Sequence, residues 1–120
     1  MSPLNEKDKR KISKIIHALE DKKGQNVVLM DLRDHSIATD YFIITHGDNP
    51  KHVRAIAQNV MEKLEEKPRH KEGIGESNWV AMDYGDVWIH IFQEETRNFY
   101  DLEGLWADRK ISFEESKTKS

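Results

Sequence analysis

The stretch Trp79–Trp106, WVAMDYGDVWIHIFQEETRNFYDLEGLW, decides the fold of this chain of 120 residues. Two apolar runs meet at Gly85-Asp86, and a glycine beside a polar residue between such runs predicts a β-hairpin with a two-residue loop. In that register Trp79 lies opposite Phe92. Because side chains alternate between the two faces of a strand, the pairing also sorts the hairpin residues into two faces.

The two predicted faces of the hairpin differ in chemistry. One is largely aliphatic and typical of a protein core; it carries Val80, Met82, Tyr84, Val87, Ile89 and Ile91. The other mixes aromatic side chains with an acid and a histidine; it carries Trp79, Ala81, Asp83, Trp88, His90 and Phe92. The second composition is typical of a surface that recognises a partner. Aromatic residues also dominate cores, so burial of this face is the competing interpretation.

Outward from the hairpin, periodic patterns predict the order helix, strand, strand, helix, strand, strand, helix. Isoleucines at helical spacing predict a first helix over residues 5–22, and β-branched runs predict strands at 27–30 and 41–45. Asn49 as cap and Pro50 at the first helical position begin a second helix. Residues 67–78 are expected to form a mobile loop. The predicted fold is α+β, with a single mixed four-stranded sheet packed with helices.

Composition and charge limit the classes of partner. The chain has no cysteine, no apolar run of membrane-spanning length and no signal-peptide pattern, which predicts a cytoplasmic protein without membrane contact. A formal net charge of −3 argues against a domain whose main work is to bind DNA or RNA phosphates. The lysine-rich first helix leaves RNA contact as a secondary alternative at most. Acids after the hairpin, Glu94 and Glu95 among them, suit a basic protein partner.

Catalytic and metal sites find little support in the sequence. Gly47–Pro50 lies between a strand and a helix, where phosphates often bind, but Asp48 would repel a phosphate and the segment suits a turn and helix cap. Asp83 and Asp86 are three residues apart across a turn, whereas a metal pair on one strand face needs a spacing of two. His90 is placed to bond Asp83, yet no serine or cysteine nucleophile lies on the hairpin. We therefore predict a protein that is not an enzyme and has no metal or cofactor.

Several motifs stand in fixed order along the chain: Thr39–Ile44, His52–Ala57, Trp79–Val87, His90–Phe92 and Arg97–Trp106. Together they strongly resemble the ribosomal silencing factor family, also called Iojap or RsfS. The resemblance runs from about Ile12 to Asp108. An RsfS/Iojap-like domain is therefore expected over residues 1–108, followed by a flexible C-terminal tail over 109–120.

The resemblance implies a factor that binds the large ribosomal subunit through its fourteenth protein, blocks association with the small subunit and so represses translation. It also implies a fold similar to a nucleotidyltransferase domain without its catalytic residues. A working transferase needs a Gly-Ser turn before the helix, and here Asp48 follows Gly47. The alternatives are a diverged nucleotide-binding protein that uses Asp83, Asp86 and His90, and a direct RNA binder.

The pattern of residues and the resemblance both indicate a docking surface that carries no catalytic residues. An aromatic face with acids beside it suits a basic ribosomal protein, and the acids at its rim are expected to steer the encounter. An aromatic face can also pair with a second copy of itself, so a homodimer is an alternative use. The predicted partner-binding residues are Trp79, Asp83, Trp88, His90, Phe92, Glu94, Glu95 and Tyr100.

Overall fold

The computed structural model describes residues 4–33 and 39–111 as a mixed six-stranded sheet with two long helices packed on one face. Helix α1 is Glu6–Asp21 and α2 is Pro50–Lys63; short helices α3 (Glu94–Tyr100) and α4 (Leu102–Leu105) follow the hairpin, then a 3-10 turn, Ala107–Arg109. Strands β1 to β6 are Gln25–Asp31, Tyr41–Gly47, His70–Glu72, Trp79–Asp83, Val87–Gln93 and Lys110–Ile111. Their order in the sheet is β3-β4-β5-β2-β1-β6.

Helix α2 begins at the cap that the sequence predicts, Asn49, and α1 begins at a cap of the same kind, Asn5. The side chain of Asn5 accepts a hydrogen bond from the Asp8 amide at 2.8 Å, and that of Asn49 accepts one from the His52 amide at 2.8 Å. Pro50 occupies the start of α2, where its missing N–H has no intrahelical partner to lose. In the described part of the chain, no helix combines the length and apolar character of a bilayer span.

The hairpin register predicted from Gly85-Asp86 is confirmed. Trp79 pairs with Phe92, the Tyr84 amide donates to the Val87 carbonyl at 2.8 Å, and Gly85 has a φ of +88° that the turn requires. The predicted core face is also confirmed. Its six residues are buried against α1 and α2 in the main hydrophobic core. That core brings in β1 and β2 as well, because β2 pairs in parallel with β5 at the centre of the sheet.

The prediction of four strands is wrong, because the sheet gains a short strand at each edge. β3 lies within the segment predicted as a mobile loop and pairs antiparallel with β4. β6 pairs with β1 and lies inside the segment predicted as a tail, whose residues 112–120 fall outside the described residues. Both strands are brief and mostly polar, so neither gives the apolar alternation by which strands are detected. The similarity to nucleotidyltransferase domains stays a prediction.

Candidate docking surface

The sheet face opposite α1 and α2 is only partly covered. Met30, Ile44 and Phe92 form a small second core on it, and Leu102 and Trp106 from the segment after β5 pack over that core. A hydrogen bond from the Gly104 amide to the Asp101 side chain at 3.1 Å begins α4 and turns the chain back toward the sheet. The rest of this face keeps side chains that are partly open to solvent.

Aromatic rings on this face are organised around His90. The ring centroid of His90 lies 4.6 Å from that of Phe42, 5.9 Å from Trp79 and 6.1 Å from Trp88. Trp79 Nε1 donates a hydrogen bond to His90 Nδ1 at 3.1 Å, which fixes both rings. Trp79 also packs against Tyr100 of α3, with ring centroids 4.9 Å apart. The rings therefore form a continuous group from the sheet to the surface of α3.

Three large apolar side chains of α3 and α4, the short helices that follow the hairpin, face solvent. Phe99 is 80% exposed, Leu105 is 72% exposed and Tyr100 is 52% exposed. Phe99 and Tyr100 meet edge to face, with centroids 5.0 Å apart. Soluble domains seldom leave such a patch open unless it binds something. We call the half-buried and exposed members of this group the aromatic surface; they are Phe42, Trp79, Trp88, Phe99, Tyr100 and Leu105.

The residues predicted to bind a partner divide into two groups in the structure. Those that are half-buried or exposed, and available for contact, are Trp79, Asp83, Trp88, Glu94, Glu95 and Tyr100. The other two need a correction: Phe92 is fully buried and His90 is 6% exposed. The segment after β5 folds back over Phe92, and neighbouring rings cover His90. These two residues support the aromatic surface from beneath.

The hydrogen bond expected between Asp83 and His90 is absent. His90 Nδ1 is occupied by Trp79, and within residues 4–33 and 39–111 its Nε2 has no hydrogen-bond partner. Asp83 instead accepts from the Gly85 amide at 2.8 Å and stabilises the hairpin turn. Asp86, which the sequence assigned to that turn, accepts from Lys11 Nζ of α1 at 2.8 Å. Burial would raise the pKa of Asp86, but the hydrogen bond and charge of Lys11 lower it.

Sequence reasoning missed three members of the aromatic surface. Phe42 lies on β2, and only the parallel pairing with β5 brings it opposite Trp88. Phe99 and Leu105 contribute to the spacing that predicts a last short helix, and that spacing does not indicate a partner surface. The available signal was the adjacent pair Phe99-Tyr100, since α3 has only seven residues and cannot bury both neighbours on one side.

Arg97 anchors α3 to the sheet. It is 4% exposed, and its Nε donates to Glu103 Oε1 at 2.7 Å. Its two other nitrogens donate to the carbonyls of Gln25 and Asn26, at 3.3 and 2.8 Å, and Nη1 lies 2.8 Å from His46 Nδ1. The charge is thus fully enclosed by acceptors, as a buried guanidinium requires.

The acceptors of Arg97 come from an irregularity in β1. The pairing of β1 with β2 shifts between Gln25 and Val28, and Asn26 has a φ of +49°. Such a bulge leaves carbonyl groups outside the ladder, where they need other donors. The hydrogen bond from Arg97 lowers the pKa of Glu103, while burial and then the charge of Arg97 lower that of His46. A neutral His46 accepts from Arg97 through Nδ1.

The position of His90 predicts a pH-dependent loss of stability. Trp79 can only donate, so Nδ1 of His90 must be unprotonated, and burial lowers the pKa of His90 from 6.5 to about 4. At a pH between these two pKa values, His90 is protonated in the unfolded chain and neutral in the folded chain. The stability of the fold therefore falls as the pH falls. When the pH is lowered from about 7 to about 5, this one group should reduce the free energy of unfolding by about 2 kcal/mol.

Chemical denaturation of the wild type and of His90→Gln at both pH values measures this contribution, because Gln does not titrate. The stability difference between the two proteins should shift in favour of His90→Gln at the lower pH. His17→Gln, at an exposed position, is the control. If the wild type and His90→Gln lose stability in parallel, His90 does not carry the effect.

The junction between β2 and α2, where a nucleotide phosphate would bind, is filled by protein groups. His52 Nδ1 accepts from the Asp48 amide at 2.9 Å, and its Nε2 lies 2.7 Å from the Lys22 carbonyl. A Cβ added at Gly47 would lie 3.0 Å from the same imidazole ring. The His52 amide in the first turn of α2 donates to the Asn49 side chain. An anion would have to displace His52 and approach the Asp48 carboxylate.

The described ranges, 4–33 and 39–111, contain no candidate metal site. No group of three or more His, Cys, Asp or Glu side chains there is arranged to hold a metal ion. Asp83 and Asp86, the pair considered from the sequence, have separate structural partners, the Gly85 amide and Lys11. Over these ranges the arrangement offers contact surface, hydrogen bonding and charge.

Comparison with known proteins adds an independent line of observation. A family described as "Ribosomal silencing factor during starvation" matches residues 5–120. The ribosomal silencing factor RsfS of Bacillus subtilis is 35% identical over 112 residues, which cover 91% of this chain and 93% of that protein. The mouse protein named for mitochondrial assembly of the ribosomal large subunit is 28% identical over 83% of this chain and 46% of its own length. A crystal structure from Chromobacterium violaceum has a TM-score of 0.78 at 33% identity, covering 92% of both chains.

Proposed function

Because the chain belongs to the ribosomal silencing factor family, we propose that it binds the large ribosomal subunit in the cytoplasm and blocks association with the small subunit. The contact is with the fourteenth protein of the large subunit, and the result is repression of translation. Silencing of this kind needs no catalysis, only occupation of the space that the small subunit requires. The domain measures 37 × 29 × 27 Å. A body of this size, bound where the small subunit docks, would keep the two subunits apart.

The observation that carries the proposal is the aromatic surface. Phe99, Tyr100 and Leu105 are exposed, and Tyr100 rests on Trp79, which the sheet holds in place. Rigid aromatic side chains on a supported platform are what the centre of a protein interface requires. A standard interface buries about 800 Å² on each partner, so contact is expected to extend from these rings to the residues around them. Self-association is the competing use of the same side chains.

Charge at the rim fits a basic partner. Glu94 and Glu95 lie exposed in the first turn of α3, directly beside the aromatic surface. Asp101 and Glu103, also expected at this rim, are engaged within the domain: Asp101 caps α4 and Glu103 pairs with Arg97. The steering charge is therefore concentrated at the two glutamates. Such rim charges act mainly on the rate of association and are screened by salt.

Cosedimentation with isolated large subunits tests the function directly. Large subunits are incubated with excess protein, active small subunits are added, and sucrose gradients separate free subunits from joined ribosomes. We expect the protein to migrate with large subunits and joined ribosomes to decrease in proportion to occupancy. Gln58→Ala, on the exposed face of α2, should behave as the wild type. Normal joining of subunits at saturating occupancy would contradict steric blocking.

A further inference from the structure

The helical side of the molecule carries a band of positive charge that the aromatic surface does not use. Lys7, Arg10, Lys11 and Lys14 of α1 line a depression that is closed at its far end by Arg69 and the hairpin turn. A second depression shares Arg69 and continues along β3. Lys71 points to this side because it pairs with Met82, a member of the helical core face.

The spacing along α1 sets three cations in a row. Lys7, Arg10 and Lys14 are three and four residues apart and lie on one side of the helix, over roughly 10 Å at 1.5 Å per residue. All three are exposed, as is Arg69. Arg69 packs across Gly85, where its guanidinium would lie 3.3 Å from an added Cβ. A glycine in the turn therefore lets the arginine lie flat beside the α1 row.

These cations are available to a partner. Among residues 4–33 and 39–111, neither the α1 row nor Arg69 forms an ion pair within 4.0 Å, whereas Lys11 is bound to Asp86 and Glu66. We call the whole set the basic band; its members are Lys7, Arg10, Lys11, Lys14, Lys67, Arg69 and Lys71. Three carboxylates share the same lining, those of Glu65, Glu66 and Asp86. The band is thus positive in a chain whose net charge is −3.

We propose that the basic band contacts RNA phosphates of the large subunit while the aromatic surface contacts protein. This inference rests on the proposed function and adds a second partner to it. A row of lysine and arginine side chains without ion-pair partners suits the regularly spaced negative charges of a nucleic-acid backbone. Each guanidinium group can also donate two hydrogen bonds to the oxygens of one phosphate. An acidic protein segment is the competing occupant, and comparison of binding to naked RNA and to isolated protein distinguishes the two. The lysine-rich first helix is apparent in the sequence, but the fold alone adds Lys67, Arg69 and Lys71 to the band.

The test is the salt dependence of binding to large subunits. Each phosphate contact contributes about 0.7 to 0.9 to the slope of log affinity against log salt concentration. The variant Arg10→Gln/Lys14→Gln/Arg69→Gln should therefore bind more weakly at low salt, with a slope smaller by about two. Lys22→Gln/Lys23→Gln/Lys51→Gln removes the same charge at exposed positions outside the band and should keep most of the wild-type slope.

Two further arms identify the partner of the band. With naked ribosomal RNA, the band variant should lose affinity relative to the control variant; with the isolated fourteenth protein, both should bind as the wild type does. An unchanged slope with large subunits would overturn the RNA contact and leave the proposed function standing. Weaker binding of the band variant to the isolated protein, with no change toward RNA, would show a protein contact instead. Wild-type protein that does not bind large subunits at all would overturn both proposals.

Discussion

Tyr100→Ala should weaken binding to large subunits at least about thirtyfold and leave the domain folded. Truncation of a central interface aromatic typically costs 2 kcal/mol or more of binding free energy, and a factor of ten corresponds to about 1.4 kcal/mol. Tyr100 is 52% exposed, so little of its packing contributes to the core. Its ring does, however, bridge Trp79 and Phe99, so its loss separates the two halves of the aromatic surface. Equilibrium titration of labelled protein with large subunits measures the change.

Variants of two kinds keep this result interpretable. Tyr100→Phe retains the ring and should bind nearly as the wild type, while Gln58→Ala controls for a substitution away from the surface. Trp79→Ala should also lose at least about thirtyfold in affinity, but it leaves His90 Nδ1 without its donor and so costs stability as well. A folded Tyr100→Ala protein with wild-type affinity would show that partner contact lies elsewhere.

Arg97→Met should reduce the free energy of unfolding by about 3 kcal/mol or more, because removing one partner of a buried ion pair leaves the other uncompensated. Glu103 would lose the donor at 2.7 Å, and the carbonyls of Gln25 and Asn26 would lose theirs. Methionine fills much of the volume of the arginine stem, so the effect measures lost hydrogen bonds and charge pairing more than a cavity. Urea denaturation gives the difference in midpoint and slope.

The same change at an exposed position provides the control. Arg10→Met should shift stability by no more than about 0.5 kcal/mol. Adding Glu103→Gln to Arg97→Met should recover part of the loss, since the second change removes a carboxylate whose remaining cation is Lys110, with Nζ 3.9 Å away. The coupling between the two changes is measured by a double-mutant cycle. An Arg97→Met protein as stable as the wild type would mean that α3 is held by its apolar contacts alone.

Local signals in the sequence were sufficient for the hairpin and the helix starts. The hairpin turn requires a positive φ at residue 85, which glycine adopts without strain. The position of this turn determines which residues of β4 and β5 face each other. Asn49 and Pro50 likewise act within one turn of helix. The edge strands β3 and β6 were not predicted, because each forms only by pairing with a strand that is already part of the sheet, β4 or β1. A strand of two or three polar residues has no local pattern of its own.

The sequence predicted which residues share the second face of the hairpin, but it did not predict what covers them. Alternation along the hairpin correctly grouped Trp79, Trp88, His90 and Phe92 on one face, but it holds no information about what packs over them. Phe92 is buried because Leu102 and Trp106 return across the sheet. That return depends on Arg97, which reaches carbonyls more than seventy residues earlier in the chain. Contacts of this kind are set by tertiary structure and leave little trace in local sequence.

The parallel pairing of β2 with β5 at the centre of the sheet also determines how late in synthesis the fold can be completed. β2 cannot acquire its partner β5 until the intervening helix and two strands have been synthesised and the long connection has closed. Closure of such a connection costs entropy before its contacts form, so folding of mixed topologies is slower than that of helical bundles. A nascent chain can thus form α1 and α2 early, while the aromatic surface is assembled last. A chain interrupted before β5 carries both helices and the α1 row of cations, but it lacks most of the aromatic surface.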